Sequence, residues 1–360
     1  MNIYSRRRRS HIESRPLPAA EFHKTGRIIV ILLCTLMLFY WAAAAGPVTV
    51  FRILVYNVSG IEDYQIFPQR VMNPSLSPRP LEEDIRPAIA LTKVDIRDNK
   101  NLILSDLIEV NETTAFLVIK NNRLVYEKYF RGYNRETPSM SFSISKSILS
   151  LLVGCALEDG YIRSLDQLVT DFIPELAKNG FDAVTLRHLL QMTSGVNYTE
   201  NDFLIGIHPR LYYSDRLEEE IIKLKTIEPP GARFVYKSGD AFLLSLALDR
   251  ALGDQTITEY MQTRIWNPMG MEYEAIWSVD HEPGGLEKTG CCLTATARKF
   301  AKFGLLVTLW IQALAIMDAL RGKKARAEIE AAILDYDEGH RRFIRRLDHD
   351  LKNPLMSLQV

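Results

Sequence analysis

In Ser141-Phe142-Ser143-Ile144-Ser145-Lys146-Ser147 a serine and a lysine stand three residues apart. On a helix such residues share a face, so the Ser143 hydroxyl and the Lys146 amine come within reach of each other. That pairs a nucleophile with a base. The segment behind them, Ile148 to Leu157, is apolar nearly all round and stops at Asp159-Gly160, an ordinary helix exit. The pattern describes a buried central helix with a reactive pair at its N-terminus, where backbone N–H groups and the helix dipole favour developing negative charge. The competing reading of the same letters is a solvated helix start, with serine as cap and lysine as surface charge.

Acyl transfer through serine also needs a proton source for the leaving group and donors for the oxyanion. Tyr236, in Phe234-Val235-Tyr236-Lys237-Ser238, follows the Pro229-Pro230-Gly231 turn and precedes a helix. Its phenol, drawn toward phenolate by a nearby lysine, could shuttle the proton, and Ser238 would line the cleft. The backbone N–H of Ser143 is one candidate oxyanion donor; a second has no signal in the sequence. Taken alone, Tyr236 reads equally well as a half-buried strand tyrosine.

The elements that must hold these groups follow from periodicity. Ala115 to Ile119 and Leu124 to Tyr129 are β-branched and aromatic runs separated by Lys120-Asn121-Asn122-Arg123, a hairpin signature leading into the Ser143 helix. Ser164 to Leu176, Leu186 to Met192, Asp240 to Leu252 and Thr258 to Ile265 read as helices, interrupted by Thr193-Ser194-Gly195 and Pro229-Pro230-Gly231. Strands at both ends with helices between imply an α+β domain.

The 360 residues, 47% hydrophobic, can bury a sizeable core, which excludes a wholly disordered chain. Lysine plus arginine and aspartate plus glutamate balance at 44 each, so no global field points to nucleic acid. Cys34, Cys155, Cys291 and Cys292 supply no disulfide framework or zinc-ligand spacing, so neither a structural disulfide nor a metal is expected. No cofactor is called for.

Residues 1–25 are polar and basic, with Arg6 to Arg9 as a block, and Ile28 to Ala45 is an uncharged run of eighteen residues. That predicts a transmembrane anchor over 26–45, with the basic leader cytoplasmic and the catalytic domain extracytoplasmic at the cell membrane. A cleaved signal peptide is the alternative, since Ala42 to Ala45 offers a small-residue site. The Pro-rich stretch 46–100 reads as an extended stalk and lead-in, and 101–306 as the domain that carries Ser143, Lys146 and Tyr236. Phe303 to Met317 is a second uncharged run, so 303–320 is a buried helix or a second span, with Arg321 to Arg326 as a cytoplasmic flank.

Ser143-x-x-Lys146 and Tyr236-x-Ser238, with Leu186 to Gly195, Pro229 to Gly239, Ile265 to Met271 and Thr294 to Gly304, resemble the serine β-lactamase and penicillin-binding-protein-like hydrolases, in the class C-like esterase and amidase branch. The resemblance covers about Ala115 to Leu306. It implies an antiparallel sheet packed with helices plus a helical lobe, a Ser143-Lys146-Tyr236 acyl-enzyme mechanism, and a small-molecule or peptide-like ester or amide substrate. The family's third motif, a Lys/His-Thr/Ser-Gly box on an edge strand, is matched by letters at Lys288-Thr289-Gly290. This precedes the Thr294 helix, where the family has a glycine-rich segment, and we read it as coincidence. Beyond Leu306 the family's closing elements are expected to be missing, which would leave the domain incomplete at its C-terminal end.

Residues 321–360 form a charged tail of helical pattern, and 341–360 resemble the phosphoacceptor helix of sensor histidine kinases, with His349 as phosphoacceptor, Asp350 as the neighbouring acid/base and Asn353-Pro354 as the helix-bending pair. Ile344, Leu347, Leu351, Leu355 and Leu358 make one stripe suited to a homodimer through 341–358, with His349 on the opposite face. A second reading follows: a signalling protein whose degenerate hydrolase domain senses a ligand outside and whose tail lies in the cytoplasm. A truncated or chimeric inactive product is the third.

Overall fold

The computed structural model describes residues 19–96, 99–201, 204 and 206–320. In chain order these form α1 (Ala19–Ala45), α2 (Pro47–Tyr56), β1 (Gln69–Met72), β2 (Glu82–Glu83), β3 (Lys93–Ile96), β4 (Asn99–Ile103), α3 (Leu104–Val110), β5 (Ala115–Lys120), β6 (Arg123–Tyr129), β7 (Pro138–Met140) and α4 (Ile144–Glu158). There follow α5 (Leu186–Leu190), α6 (Ile207–Tyr213), α7 (Leu217–Ile221), α8 (Ser238–Leu252), α9 (Ile257–Met261), β8 (Ala275–Ser278), β9 (Leu293–Thr296) and α10 (Ala297–Leu320).

A four-stranded antiparallel sheet runs β1-β8-β9-β7, with Gln69 opposite Ser278, Ile276 opposite Thr294 and Met140 opposite Thr294. The hairpin β5-β6 forms a second sheet with β2. Asn121 and Asn122 take φ of 53° and 62° at its turn, the left-handed conformation a two-residue hairpin loop requires and asparagine tolerates. Helices α4 and α8 pack together in the core. Leu149, Leu152 and Val153 of the first and Phe242, Leu243 and Leu246 of the second are buried, so truncating Leu152 to alanine would cost about 2 to 5 kcal/mol.

The α+β expectation holds, and so do the hairpin and the four-turn helix after Ser143. Ser164 to Leu176, expected as a helix, contains only the short turns Val169–Asp171 and Pro174–Asn179, because bridge pairing of Leu168 with Thr185 draws the backbone out of helical register. Between them and α8, Gly195 has φ of 73°, and a Cβ there would stand 2.1 Å from the Glu228 carbonyl oxygen, so only glycine closes this loop.

Residues 46–100 do not form an extended stalk. Helix α2 docks on α6, and β1 is the edge strand of the main sheet, paired along its whole length with β8. The prolines that suggested a stalk sit at the joints: Pro68 and Pro74 flank β1, Pro78 and Pro80 lead into β2, and Pro87 opens the short turn Pro87–Leu91. Among the described residues no single helix is long and apolar enough to cross a membrane, so the spans expected over 26–45 and 303–320 are not supported. At the first, α1 runs unbroken to Ala45, and Val30–Ala45 then meets Pro47–Tyr56 at a bend of 115°. It falls at Gly46, with φ of 90°, followed by proline at the first helical position. At the second, α10 begins inside the domain, where buried Lys299 and Lys302 both pair with Glu272. Residues 321–360, with His349, Asp350 and Asn353, lie outside the described residues.

Candidate active site

The approach to the nucleophile is set by β7. Ser141 N–H donates to the Leu293 carbonyl at 2.8 Å, which ties the end of β7 to β9, and the chain then reverses through Phe142 at φ of 45°. A bulky residue in this region stores about 1 to 3 kcal/mol of backbone strain, held here by the Ser145 hydroxyl donating to the Phe142 carbonyl at 2.8 Å. The turn delivers Ser143 to the N-cap position of α4, yet its side chain makes no capping hydrogen bond. This removes the reading of Ser143 as a simple helix cap.

The Ser143 hydroxyl meets the other two expected catalytic side chains instead. Lys146 Nζ lies 2.8 Å from Ser143 Oγ, and Tyr236 OH lies 2.7 Å from the same atom. Lys146 Nζ also donates to the Gly290 carbonyl at 2.7 Å. Burial pushes the Lys146 amine down to about 8, and the Glu200 carboxylate works against that by favouring the charged form. Burial likewise raises the Tyr236 phenol, outweighing the hydrogen bond to Ser143. The phenolate character expected from the sequence is therefore not what the site produces: Tyr236 is a protonated donor, because desolvation disfavours its anion.

Ser238 lines the same cavity, of about 250 Å³, together with Ser59, Phe142, Ser143, Lys146 and Glu200. Its backbone N–H donates to a Glu200 carboxylate oxygen. The other Glu200 oxygen is 3.4 Å from His208 Nδ1, and that nitrogen bonds the Tyr198 hydroxyl. Glu200 and His208 went unnoticed in the sequence because the first sits in an aperiodic loop, the second on the short helix α6, and the pair has no recognisable spacing. Gly290 was set aside with Lys288-Thr289-Gly290 as coincidence, and its role left no signal, since its contribution is a carbonyl.

Lys288-Thr289-Gly290 has a divided fate. The Lys288 side chain is fully buried and donates to the carbonyls of Tyr212 and Ser214 at 2.9 and 2.8 Å, away from the nucleophile, so it does not serve as a cleft-wall lysine. Gly290 and Cys291 do line the cavity. Cys291 and Cys292 are joined to each other, contrary to the expectation of no disulfide. Adjacency had argued against it, because a bridge between neighbours closes only the smallest possible ring and removes little chain entropy. Among the described residues no cluster of histidine, cysteine, aspartate and glutamate could hold a metal ion.

Comparison with known proteins places this geometry in context. A family model described as Beta-lactamase matches residues 109–332, past the Leu306 boundary expected from the sequence. The 6-aminohexanoate-dimer hydrolase of Paenarthrobacter ureafaciens is 25% identical over 233 residues, 61% of this chain, and the match spans 58% of that relative's length. The structure of a candidate 6-aminohexanoate-dimer hydrolase from Bacillus anthracis superposes with a TM-score of 0.62 at 24% identity, covering 69% of this chain and 67% of the other, which shows a shared fold. The family match ends at residue 332, so the phosphoacceptor resemblance expected of 341–360 lies outside it.

Proposed function

The chain belongs to the β-lactamase family, and from that premise we propose that it is a membrane-anchored serine hydrolase that cleaves ester or amide bonds through an acyl-enzyme on Ser143. The observation that carries this reading is the convergence of Lys146 Nζ and Tyr236 OH on Ser143 Oγ, at 2.8 and 2.7 Å. A serine held between an amine whose pKa is lowered to about 8 and a protonated phenol has both a proton acceptor and a proton donor within hydrogen-bond reach.

In the forward step neutral Lys146 takes the Ser143 proton as Oγ bonds to the substrate carbonyl carbon, and the carbonyl oxygen becomes the oxyanion. The Ser143 N–H at the positive end of α4 is one donor for that charge. As the tetrahedral intermediate collapses, the bond to the leaving nitrogen or oxygen breaks and Tyr236 supplies its proton. The Lys146 ammonium, whose Nζ is 5.3 Å from the centre of the Tyr236 ring, is the source that restores the phenol. Water then adds to the acyl-enzyme, giving its proton to the same pair, and Ser143 leaves with a proton as the acid is released.

The family relative's name makes linear amides of the 6-aminohexanoate-dimer type the first substrates to assay. The Glu200 carboxylate in the cavity offers a partner for a substrate amino group, which supports that choice. Anchoring is supported by the uncharged run Ile28 to Ala45 after a basic leader and by the exposed apolar surface of α1. The test is labelling of the purified chain with a fluorophosphonate or penicillin probe. Modification of Ser143, lost in Ser143→Ala, is the expected result; label on Ser145 or Ser147, or none, would overturn the assignment.

A further inference from the structure

Helix α2 is built inside out. Its buried face carries Thr49 and Arg52 beside Val50 and Ile53. Thr49 Oγ1 donates to Asp215 Oδ1 at 2.7 Å, and the Arg52 guanidinium donates to the carbonyls of Ile66 and Tyr213 at 3.0 and 3.3 Å. Its outer face is Val48, Phe51, Leu54, Val55 and Tyr56, with Phe51 60% and Val55 55% exposed. A helix on a water-facing surface does the reverse, burying its apolar stripe and showing its charges.

This face does not stand alone. The described side chains of α1 from Val30 to Tyr40 are exposed and almost all apolar, and no charged residue occurs between Arg27 and Arg52. The apolar surface therefore continues around the 115° corner at Gly46. An exposed apolar area of this extent marks a protein or membrane contact. Two features favour lipid. One arm can enter a bilayer while the other, roughly at a right angle to it, lies along the surface. Tyr40 and Trp41 stand just before the corner, where amphipathic rings settle at the level of the headgroups.

We infer that α2 is a bilayer-docking helix that lies in the membrane interface with Phe51 and Val55 toward the acyl chains. The inference rests on the anchoring described under Proposed function and deepens it, adding to an inserted α1 a second helix that lies along the surface. It also sets the catalytic cleft beside the lipid: α2 packs on α6, which carries His208 and Tyr212 into the cavity, and Ser59, two residues past the α2 C-cap at Asn57, lines it as well.

The experiment uses the full chain with Cys34→Ser and Cys155→Ala, so that the only unpaired thiol is an introduced one. Phe51→Cys, or Val48→Cys on the same face should the first fold poorly, is labelled with an environment-sensitive nitrobenzoxadiazole. Lys120→Cys, at the tip of the β5-β6 hairpin, is the comparison. The proteins are floated with phosphatidylcholine and phosphatidylglycerol vesicles carrying shallow doxyl lipid. A helix seated roughly 5 to 10 Å into the headgroup and acyl boundary brings the probe at 51 or 48 within quenching range. The expected result is strong quenching there and little at 120. Flotation with no quenching on α2 overturns the docking helix and leaves the anchor standing. Failure to float overturns both, and burial of the probe in a lipid-free dimer assigns the face to a second copy of the chain instead.

Discussion

Lys146 Nζ lies 2.7 Å from the Gly290 carbonyl oxygen, as near as it lies to Ser143 Oγ. The catalytic amine is therefore held from two elements, the first turn of α4 and the segment just before β9. One N–H donated to Gly290 fixes the nitrogen and leaves its lone pair free to face the serine when the amine is neutral. The carbonyl performs this work without any side chain, and the disulfide-bonded pair Cys291 and Cys292 follows it directly.

The ionisation of Lys146 sets the pH dependence of acylation. Only the neutral amine accepts the Ser143 proton, and burial brings its pKa down to about 8. The labelling rate should rise about tenfold per pH unit below that value and level off above it. Lys146→Ala should slow acylation by about 10² to 10⁴, the range for a lost general base. Second-order labelling rates between pH 6 and 10 test both statements. A flat profile in the wild type, or an unchanged rate in the variant, would remove Lys146 from the mechanism.

Glu200 opposes the effect of burial on Lys146, because its negative charge favours the ammonium. Replacing it with glutamine removes that charge while keeping an oxygen that can accept the Ser238 N–H. The acid limb of the labelling profile should then move to lower pH in Glu200→Gln, so that the rate at pH 7 rises relative to its plateau. Movement of the limb to higher pH would contradict the coupling.

Tyr236 is placed to act after acylation begins, as the donor that protonates the leaving group. Its raised pKa keeps the phenol protonated through the range in which Lys146 titrates. Tyr236→Phe should retain the fold, since the hydroxyl ends at the solvent-accessible cleft, and should lower steady-state amide turnover by about 10² to 10⁴. An ester with a good leaving group needs less protonation and should suffer less. Equal losses on the two substrates would argue against a role in leaving-group protonation.

Much of this site was legible in the sequence because its logic is local. Three-residue spacing at the start of an apolar run puts Ser143 and Lys146 on one helix face, and the paired asparagines identify the hairpin that feeds it. What stayed hidden depends on long-range packing or on backbone atoms. Glu200 reaches the site through a loop with no periodicity, and Gly290 acts through its carbonyl. Helix α2 was masked by the prolines around it and by its own reversed polarity, for Arg52 in an apolar stretch looks like the end of a membrane run until its partners are known. The protonation state of Tyr236 was misread for a related reason: lysine proximity could be inferred from the motif, while the desolvation that outweighs it could not.

Asp240 gives a stability test independent of catalysis. It is buried near the start of α8, accepts the Ser194 hydroxyl, and is pushed by burial up to about 7 from an ordinary value of 3.8. A carboxyl raised in the folded state keeps a proton that the unfolded chain has already released between about pH 4 and 7. Folding then binds a proton, and stability falls as pH rises through that window and levels off above it. Asp240→Asn keeps an oxygen for Ser194 and removes the titration. The variant should therefore gain on the wild type between pH 5 and pH 8, by on the order of 1 to 4 kcal/mol, since each tenfold difference in proton affinity between the folded and unfolded chain is worth about 1.4 kcal/mol. Urea midpoints of both proteins at the two pH values measure it. A difference that does not change with pH would show that Asp240 is ionised in the folded protein throughout, held so by Lys237, the nearby positive charge that lowers its pKa.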